Sequence, residues 1–234
     1  MPPLLDARTP PPPRRGQPSG LTLAPAPLAL VVALLLVFAA QRLSPPDIAQ
    51  WILVHGALLI FIGGQADWSR LYTLVTSLFL HDGWLHFGFN AFWLATIGSL
   101  VHRFVGPWRF LLIFFLGGIV GGLALVLSHW GETVIAIGAS GSVFAFLGAG
   151  GHVFVARPDD TRAERLKRLA AFTVVMMALN LAFAFFGTLP GMDPVSVAWE
   201  AHAGGFLTGL LLFPLLARGR EGGLPTSRGR GAPG

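Results

Sequence analysis

The chain has 234 residues and not one cysteine, which excludes disulfides, thiolate-bound metals and a cysteine nucleophile together. Charge is also scarce. Asp, Glu, Lys and Arg make up 12% of the residues against 53% hydrophobic, whereas soluble domains carry about 25% charged residues. The solvent for most of this chain is therefore lipid. The charge that remains, a formal +5, does not indicate nucleic acid, because the basic residues fall between apolar runs rather than along one stripe. Their placement reads as membrane topology.

What is present is a series of apolar runs divided by short polar breaks, and a spanning helix needs about 20 mostly apolar residues. Residues 1–24 are rich in Pro, Gly and Arg with little to bury, and read as a disordered cytoplasmic tail, as do residues 219–234. Residues 25–218 read as one helical domain. The first apolar run, about Ala26 to Ala40, begins late for a secretion signal and lacks a cleavage site, so it is expected to remain as a span. Five more follow: Trp84–Val101, Phe110–Leu127, Val134–Val155, Leu169–Phe186 and Val197–Leu216.

The stretch Ile48–Gly64 is apolar but is preceded by Pro45-Pro46, interrupted by His55 and Gly56 and closed by Gly63-Gly64, so on hydropathy it could cross or lie partly immersed. Charge decides. If it does not cross, one side gathers Arg8, Arg14, Arg15, Arg103, Arg109, Arg157, Arg162, Arg165, Lys167, Arg168, Arg218, Arg220, Arg228 and Arg230, and the other keeps Arg42 and Arg70. Basic residues stay cytoplasmic. The reading is an all-α polytopic membrane protein of six transmembrane helices with both termini inside.

Polar groups inside spans are costly and point to function where they recur. The second span carries His86 and Asn90, four residues apart and so on one helix face, with His81 just before it. The fourth carries Ser140 between Gly138 and Gly141, and the sixth carries His202. These spans all run from outside to inside, and the polar residues sit early in each. At about 1.5 Å per residue, a helix entered at Glu132-Thr133 puts Ser140 roughly 10 Å below that break. His86 and His202 come out at comparable or slightly shallower depth.

A serine hydroxyl needs a base, and neutral histidine is the usual one near pH 7, so Ser140 and His202 form a candidate dyad. The Ser140 backbone N–H, the His86 ring and the Asn90 amide are donors of the type an oxyanion requires. Taken singly, each has a plainer role: Ser140 bonding back to a helix carbonyl, Gly-Ala-Ser-Gly as close helix packing, Asn90 as a link between helices. Their shared layer favours catalysis. No carboxylate completes a triad, because Glu200 is two residues from His202 and faces elsewhere, and Asp193 belongs to the outer loop. Phe144, one turn after Ser140, is placed to stack on the His202 ring. Gly205 and Gly209 allow the close backbone approach that lets His202 reach Ser140, and Gly117, Gly118, Gly121 and Gly122 do the same for the third span.

These residues resemble the rhomboid family of intramembrane proteases over about Trp68 to Leu216. Three blocks carry the likeness: Thr76-Ser77-Leu78-Phe79-Leu80-His81 running to His86 and Asn90; Gly138-Ala139-Ser140-Gly141; and Ala201-His202 with Gly205 and Gly209. The resemblance implies a six-helix core, a Ser140–His202 dyad, an oxyanion site including His86 and Asn90, a structural His81, and Ile48–Gly64 as part of an outer loop lying partly in lipid. It further implies single-span membrane proteins as substrates, cut within or near the outer end of the span after a small residue. Trp68-Ser69-Arg70 departs from the adjacent Trp-Arg common in the family. Membrane lipid is the other expected partner, and no cofactor, metal or nucleic acid is expected. A small chain of six spans with no further domain suits a bacterial inner membrane. Two alternatives compete. One is a catalytically silent rhomboid-like binding module, which should lack Ser140 or His202. The other is a metal-dependent enzyme or transporter using His55, His81, His86 and His202, whose spacing lacks an HExxH helix.

Overall fold

The computed structural model describes residues 23–157, 159–186 and 198–217. The expected tails, except for residues 23 and 24, lie outside this set, as do Val197 and Asp193. Helix α1 spans Pro25–Leu43 and opens on proline, whose missing N–H costs nothing in a first turn. It stops at Ser44, which is held extended (φ −73°, ψ 152°) because the following Pro45 disfavours helical backbone in the residue before it.

Helix α2, Pro46–Gly56, has 11 residues, none of them buried. At about 1.5 Å per residue it reaches roughly half of the ~30 Å hydrocarbon thickness, so it is too short to cross. A two-stranded hairpin follows, β1 (Phe61–Ile62) against β2 (Gln65–Ala66). Its turn residues Gly63 and Gly64 have φ of 58° and 84°, the left-handed pair that tight hairpins require. Arg70, in the 3-10 turn Trp68–Tyr72, donates from Nε to the Leu59 carbonyl (2.8 Å) and from Nη2 to that of Val54 (2.6 Å). The residue displaced by one position from the family's usual spacing thus braces this loop against α2. A short helix α3 (Thr73–Thr76) and a 3-10 turn, Ser77–Phe79, lead into the bundle.

Helix α4 (Gly83–Trp93) passes through a π-helical stretch, Leu94–Gly98, into α5 (Ser99–Val105). The apolar run expected as one uniform helix is continuous but bulged at its middle. Helix α6 covers Pro107–Ser128, α7 Ser140–Phe154, α8 Arg162–Phe186 and α9 Trp199–Leu216. By length and apolarity, α1, α6 and the stretch 162–185 of α8 are each sufficient to cross a bilayer. Large apolar side chains face outward, with Phe185 75% and Leu211 67% exposed, as lipid contact demands.

Apolar burial gives little gain when the surroundings are lipid, so helices associate through tight packing and internal hydrogen bonds. Helices α6, α7 and α9 form the centre, around Phe110, Phe114, Phe146 and Phe213, all fully buried. The Phe110 and Phe146 rings stack at 4.7 Å. Pro214 lies inside α9 and has no N–H to offer the Leu210 carbonyl one turn earlier. That carbonyl accepts instead from Nε2 of His152 on α7, at 2.8 Å. A bare backbone carbonyl in lipid is costly, so His152→Leu is expected to destabilise the protein by about 1–3 kcal/mol. Adding Pro214→Ala restores the helix's own bond and should recover most of the loss. Thermal unfolding of the four proteins in detergent measures this, and equal losses in both backgrounds would contradict the pairing.

Candidate active site

The segment before α7 is held by backbone bonds to distant parts of the chain. Leu58 and Ala136 exchange both of their hydrogen bonds (2.9 and 3.1 Å), and the Gly138 N–H donates to the Ser77 carbonyl (2.8 Å). Gly138 has φ of +117°, a conformation that no helix contains and that side-chain-bearing residues avoid. The fourth helix therefore begins at Ser140 and not at Val134, and the depth of about 10 Å reckoned from helical rise does not apply to this non-helical stretch. As the first helical residue, Ser140 has a backbone N–H that the helix itself does not use.

On α4, His86 and Asn90 face this segment. A Cβ on Gly138 would sit 2.5 Å from His86 Nε2 and 3.8 Å from Asn90 Nδ2, so the His86 ring rests directly on the Gly138 backbone. Asn90 is buried and donates one amide hydrogen to the His86 carbonyl at 3.0 Å, which leaves its second donor. His81 is buried edge-on against His86 (centroids 5.2 Å apart) and Phe87 (5.7 Å). Its backbone N–H donates to Gln41 Oε1 at 3.1 Å, tying the start of α4 to α1.

Helix α9 lies backbone to backbone on α7. A side chain at Gly205 would overlap the Gly141 carbonyl, and one at Gly209 the Ala145 carbonyl. Gly141 itself is less constrained, since a Cβ there would meet Ala201 O at an ordinary 3.5 Å. On α6, the Gly121 position faces the Ala201 carbonyl, where a Cβ would stand at 2.5 Å. This contact sets His202 above Ser140, with Nε2 2.9 Å from Oγ. The Phe144 ring stacks on the imidazole at 4.2 Å and 6° between planes.

The other imidazole nitrogen reaches a residue that sequence reasoning passed over. His202 Nδ1 lies 2.9 Å from Oδ1 of Asn180 on α8, and Asn180 Nδ2 donates to the Trp199 carbonyl at 3.0 Å. Asn180 is an amide and not the carboxylate that a triad would lead one to expect. The signal was available, because Asn180 is the one amide in an apolar run whose other polar residue is Thr173, the criterion that singled out Asn90. Beside Ser140 opens a small, mostly apolar cavity of about 40 Å³ lined by Leu58, Ser77, Gly118, Ile137, Gly141 and Ala201, among others. Among the described residues no three His, Asp or Glu side chains are grouped to hold a metal. His55 instead stacks on Trp51 and donates to its carbonyl at 2.9 Å.

Glu200 faces away from His202, toward His129 in the break after α6. His129 Nδ1 bonds Glu132 Oε2 at 2.8 Å and Nε2 bonds Glu200 Oε1 at 3.2 Å. These hydrogen bonds, that to Glu132 foremost, hold the His129 pKa above its ordinary 6.5. The tether to α9 is thus at full strength below the unfolded-state value and weakens as pH rises through the higher folded one. Hydrogen exchange of the 130–137 amides, corrected for intrinsic pH dependence, is expected to quicken across that window. A Glu200→Gln variant should flatten the response, and identical profiles would contradict the tether.

The helices, their apolar exterior and the serine–histidine pair at one end of the bundle define an integral membrane protein of helical class. The chain belongs to the rhomboid family: residues 68–219 match the Rhomboid domain, nearly the range over which the motif blocks resemble it. It is 29% identical to the rhomboid protease GluP of Bacillus subtilis over 196 residues, 83% of this chain and 35% of that protein. It is 33% identical to RHOMBOID-like protein 4 of Arabidopsis thaliana over 173 residues, 73% of this chain and 40% of that protein. It is 32% identical to Rhomboid-type serine protease 2 of Emericella nidulans over 145 residues, 62% of this chain and 26% of that protein. The chain covers well under half of each of these relatives.

Proposed function

We propose that this chain is an intramembrane serine endopeptidase that cuts single-span membrane proteins within or near the outer end of their span. The observation that carries the reading is the 2.9 Å approach of His202 Nε2 to Ser140 Oγ. In the first step Oγ bonds to the scissile carbonyl carbon while its proton passes to His202 Nε2. The resulting oxyanion is received by the unused Ser140 N–H, the His86 ring and the second Asn90 donor. His202 then gives the proton to the leaving amine as the C–N bond breaks, and water attacks the acyl-enzyme by the reverse proton path. Phe144 holds the imidazole plane, His81 supports His86 from behind, Gly138 lets the His86 ring rest on the backbone, and Gly205 and Gly209 set the helix spacing, Gly205 against the Gly141 carbonyl.

The small cavity beside Ser140 suits a substrate with a small residue before the cut. Residues 134–139 are non-helical, and Ala136, Ile137 and Gly138 among them line the cavity beside Ser140, the path by which water would reach the acyl group. Six crossings, made by α1, α4 through α5, α6, α7, α8 and α9 with α2 remaining on the outer side, place Arg103, Arg109, Arg157, Arg162, Arg165, Lys167 and Arg168 in the cytoplasm together with both termini. A bacterial inner membrane fits this topology.

The test is cleavage of a single-span reporter by the purified protein in liposomes. Product should form with and without a metal chelator and should be absent with His202→Ala. Binding of the reporter without cleavage by the unsubstituted protein would overturn the reading in favour of a silent binding module.

A further inference from the structure

We propose that Asn180 is a positioning residue of this site, fixing His202 in the tautomer able to take the Ser140 proton; the inference rests on the Ser140–His202 reading above. A neutral imidazole has one nitrogen that donates and one that accepts. To receive a proton from Oγ, Nε2 must be the acceptor, so the hydrogen must reside on Nδ1. An apolar interior offers no water to hold it there, and the buried N–H needs a protein acceptor.

The direction of the bonds is set from their far end. The Trp199 carbonyl can only accept, so the group facing it at 3.0 Å must be the amide nitrogen of Asn180. That leaves Oδ1 facing His202 Nδ1 at 2.9 Å, and an amide oxygen can only accept. Nδ1 must therefore donate, and Nε2, 2.9 Å from Ser140 Oγ, carries the lone pair. The chain of bonds runs one way from Ser140 through His202 and Asn180 to the α9 backbone. Asn180 is 3% exposed, so water does not compete for either end.

A neutral amide suits this place better than the carboxylate that serine proteases elsewhere use, because an ionised carboxylate buried in an apolar span is expensive. Phe144 fixes the plane of the ring and Asn180 its rotation and proton. Three helices are thus needed to prepare the base: α7 for the serine and its stacking ring, α9 for the histidine, and α8 for the amide.

The experiment combines nitrogen NMR of histidine-labelled protein in micelles, with His202 assigned by comparison with His202→Ala, and reporter cleavage by Asn180→Leu and Asn180→Asp. In the unsubstituted protein at neutral pH, Nδ1 of His202 should be protonated and Nε2 not. A proton on Nε2 overturns the proposal whatever the variants do. Asn180→Leu should lower kcat about 100-fold, toward the low end of what a positioned base contributes, with KM within about twofold because no substrate contact is lost. Asn180→Asp keeps the acceptor for Nδ1 and removes the donor to Trp199. Its kcat should therefore recover toward the unsubstituted value if the acceptor matters, and stay as low as that of Asn180→Leu if Asn180 only braces α9, which would overturn the proposal. A full kcat in Asn180→Leu also overturns it and leaves the dyad standing, whereas cleavage surviving in Ser140→Ala removes the dyad itself.

Discussion

Ser140→Ala is expected to lower cleavage of a single-span reporter by about 10⁴-fold or more, and His202→Ala by a similar factor. In the proposed mechanism the two groups act as one unit, the hydroxyl as nucleophile and the imidazole 2.9 Å away as its base, so removing either would leave no route to a covalent intermediate. What remains is the contribution of the oxyanion donors and of substrate binding. The double variant should therefore be no slower than either single one, in contrast to independent sites whose effects multiply. Ser140→Ala removes a single hydroxyl, so its thermal unfolding should match that of the unsubstituted protein. Initial rates in liposomes and a melting curve check these outcomes together. A variant melting normally and retaining a tenth of the activity would contradict the assigned roles.

The second large effect concerns glycine. Gly209→Ala places a methyl group on the Ala145 carbonyl, and Gly205→Ala places one on the Gly141 carbonyl. In both cases the obstacle is backbone of a neighbouring helix, which cannot turn aside as a side chain can. Overpacking of this kind costs about 1–3 kcal/mol and sometimes more. Here it also pushes α9 away from α7 and draws His202 off Ser140, so activity should fall further than stability alone accounts for. Gly88→Ala is the control: it makes the same chemical change on α4, where nothing lies within 4 Å, and alanine is the better helix former by up to ~1 kcal/mol. Melting temperature and cleavage rate are expected to drop for the α9 variants and to hold for Gly88→Ala. Equal behaviour of the three would mean that the close approach is not what aligns the site.

Much of this architecture was readable in the chain itself, because a lipid solvent enforces simple rules. Apolar runs marked the helices to within a few residues for Pro107–Ser128 and Trp199–Leu216, and Pro45-Pro46 with Gly63-Gly64 bounded the loop whose helix is too short to cross. His86, Asn90, Ser140 and His202 stood out as polar groups in apolar segments, and Phe144 followed from its position one turn beyond Ser140. What was not readable depends on contacts between distant residues. The start of α7 is delayed to Ser140 because Leu58 and Ser77 occupy the backbone of Ala136 and Gly138, and nothing in Val134–Ala139 announces that. The π-helical stretch Leu94–Gly98 has no local marker of its own. His152 and Pro214 are separated by 62 positions, and only the packing of α7 on α9 makes one the answer to the other. Asn180 is a different case: its signal, an amide in an apolar span, is local, but a neutral amide in the place of a triad acid has no motif of its own.

Labelling of the purified protein by a fluorophosphonate, compared with Ser140→Ala and His202→Ala, decides whether Ser140 is an activated nucleophile. Such a reagent bonds only to a serine whose hydroxyl is activated by a base. A single label is expected, mapped to Ser140, absent from Ser140→Ala, nearly absent from His202→Ala and undiminished by a metal chelator. Labelling that persists in Ser140→Ala, or that never occurs in a folded unsubstituted protein, would contradict that role for Ser140.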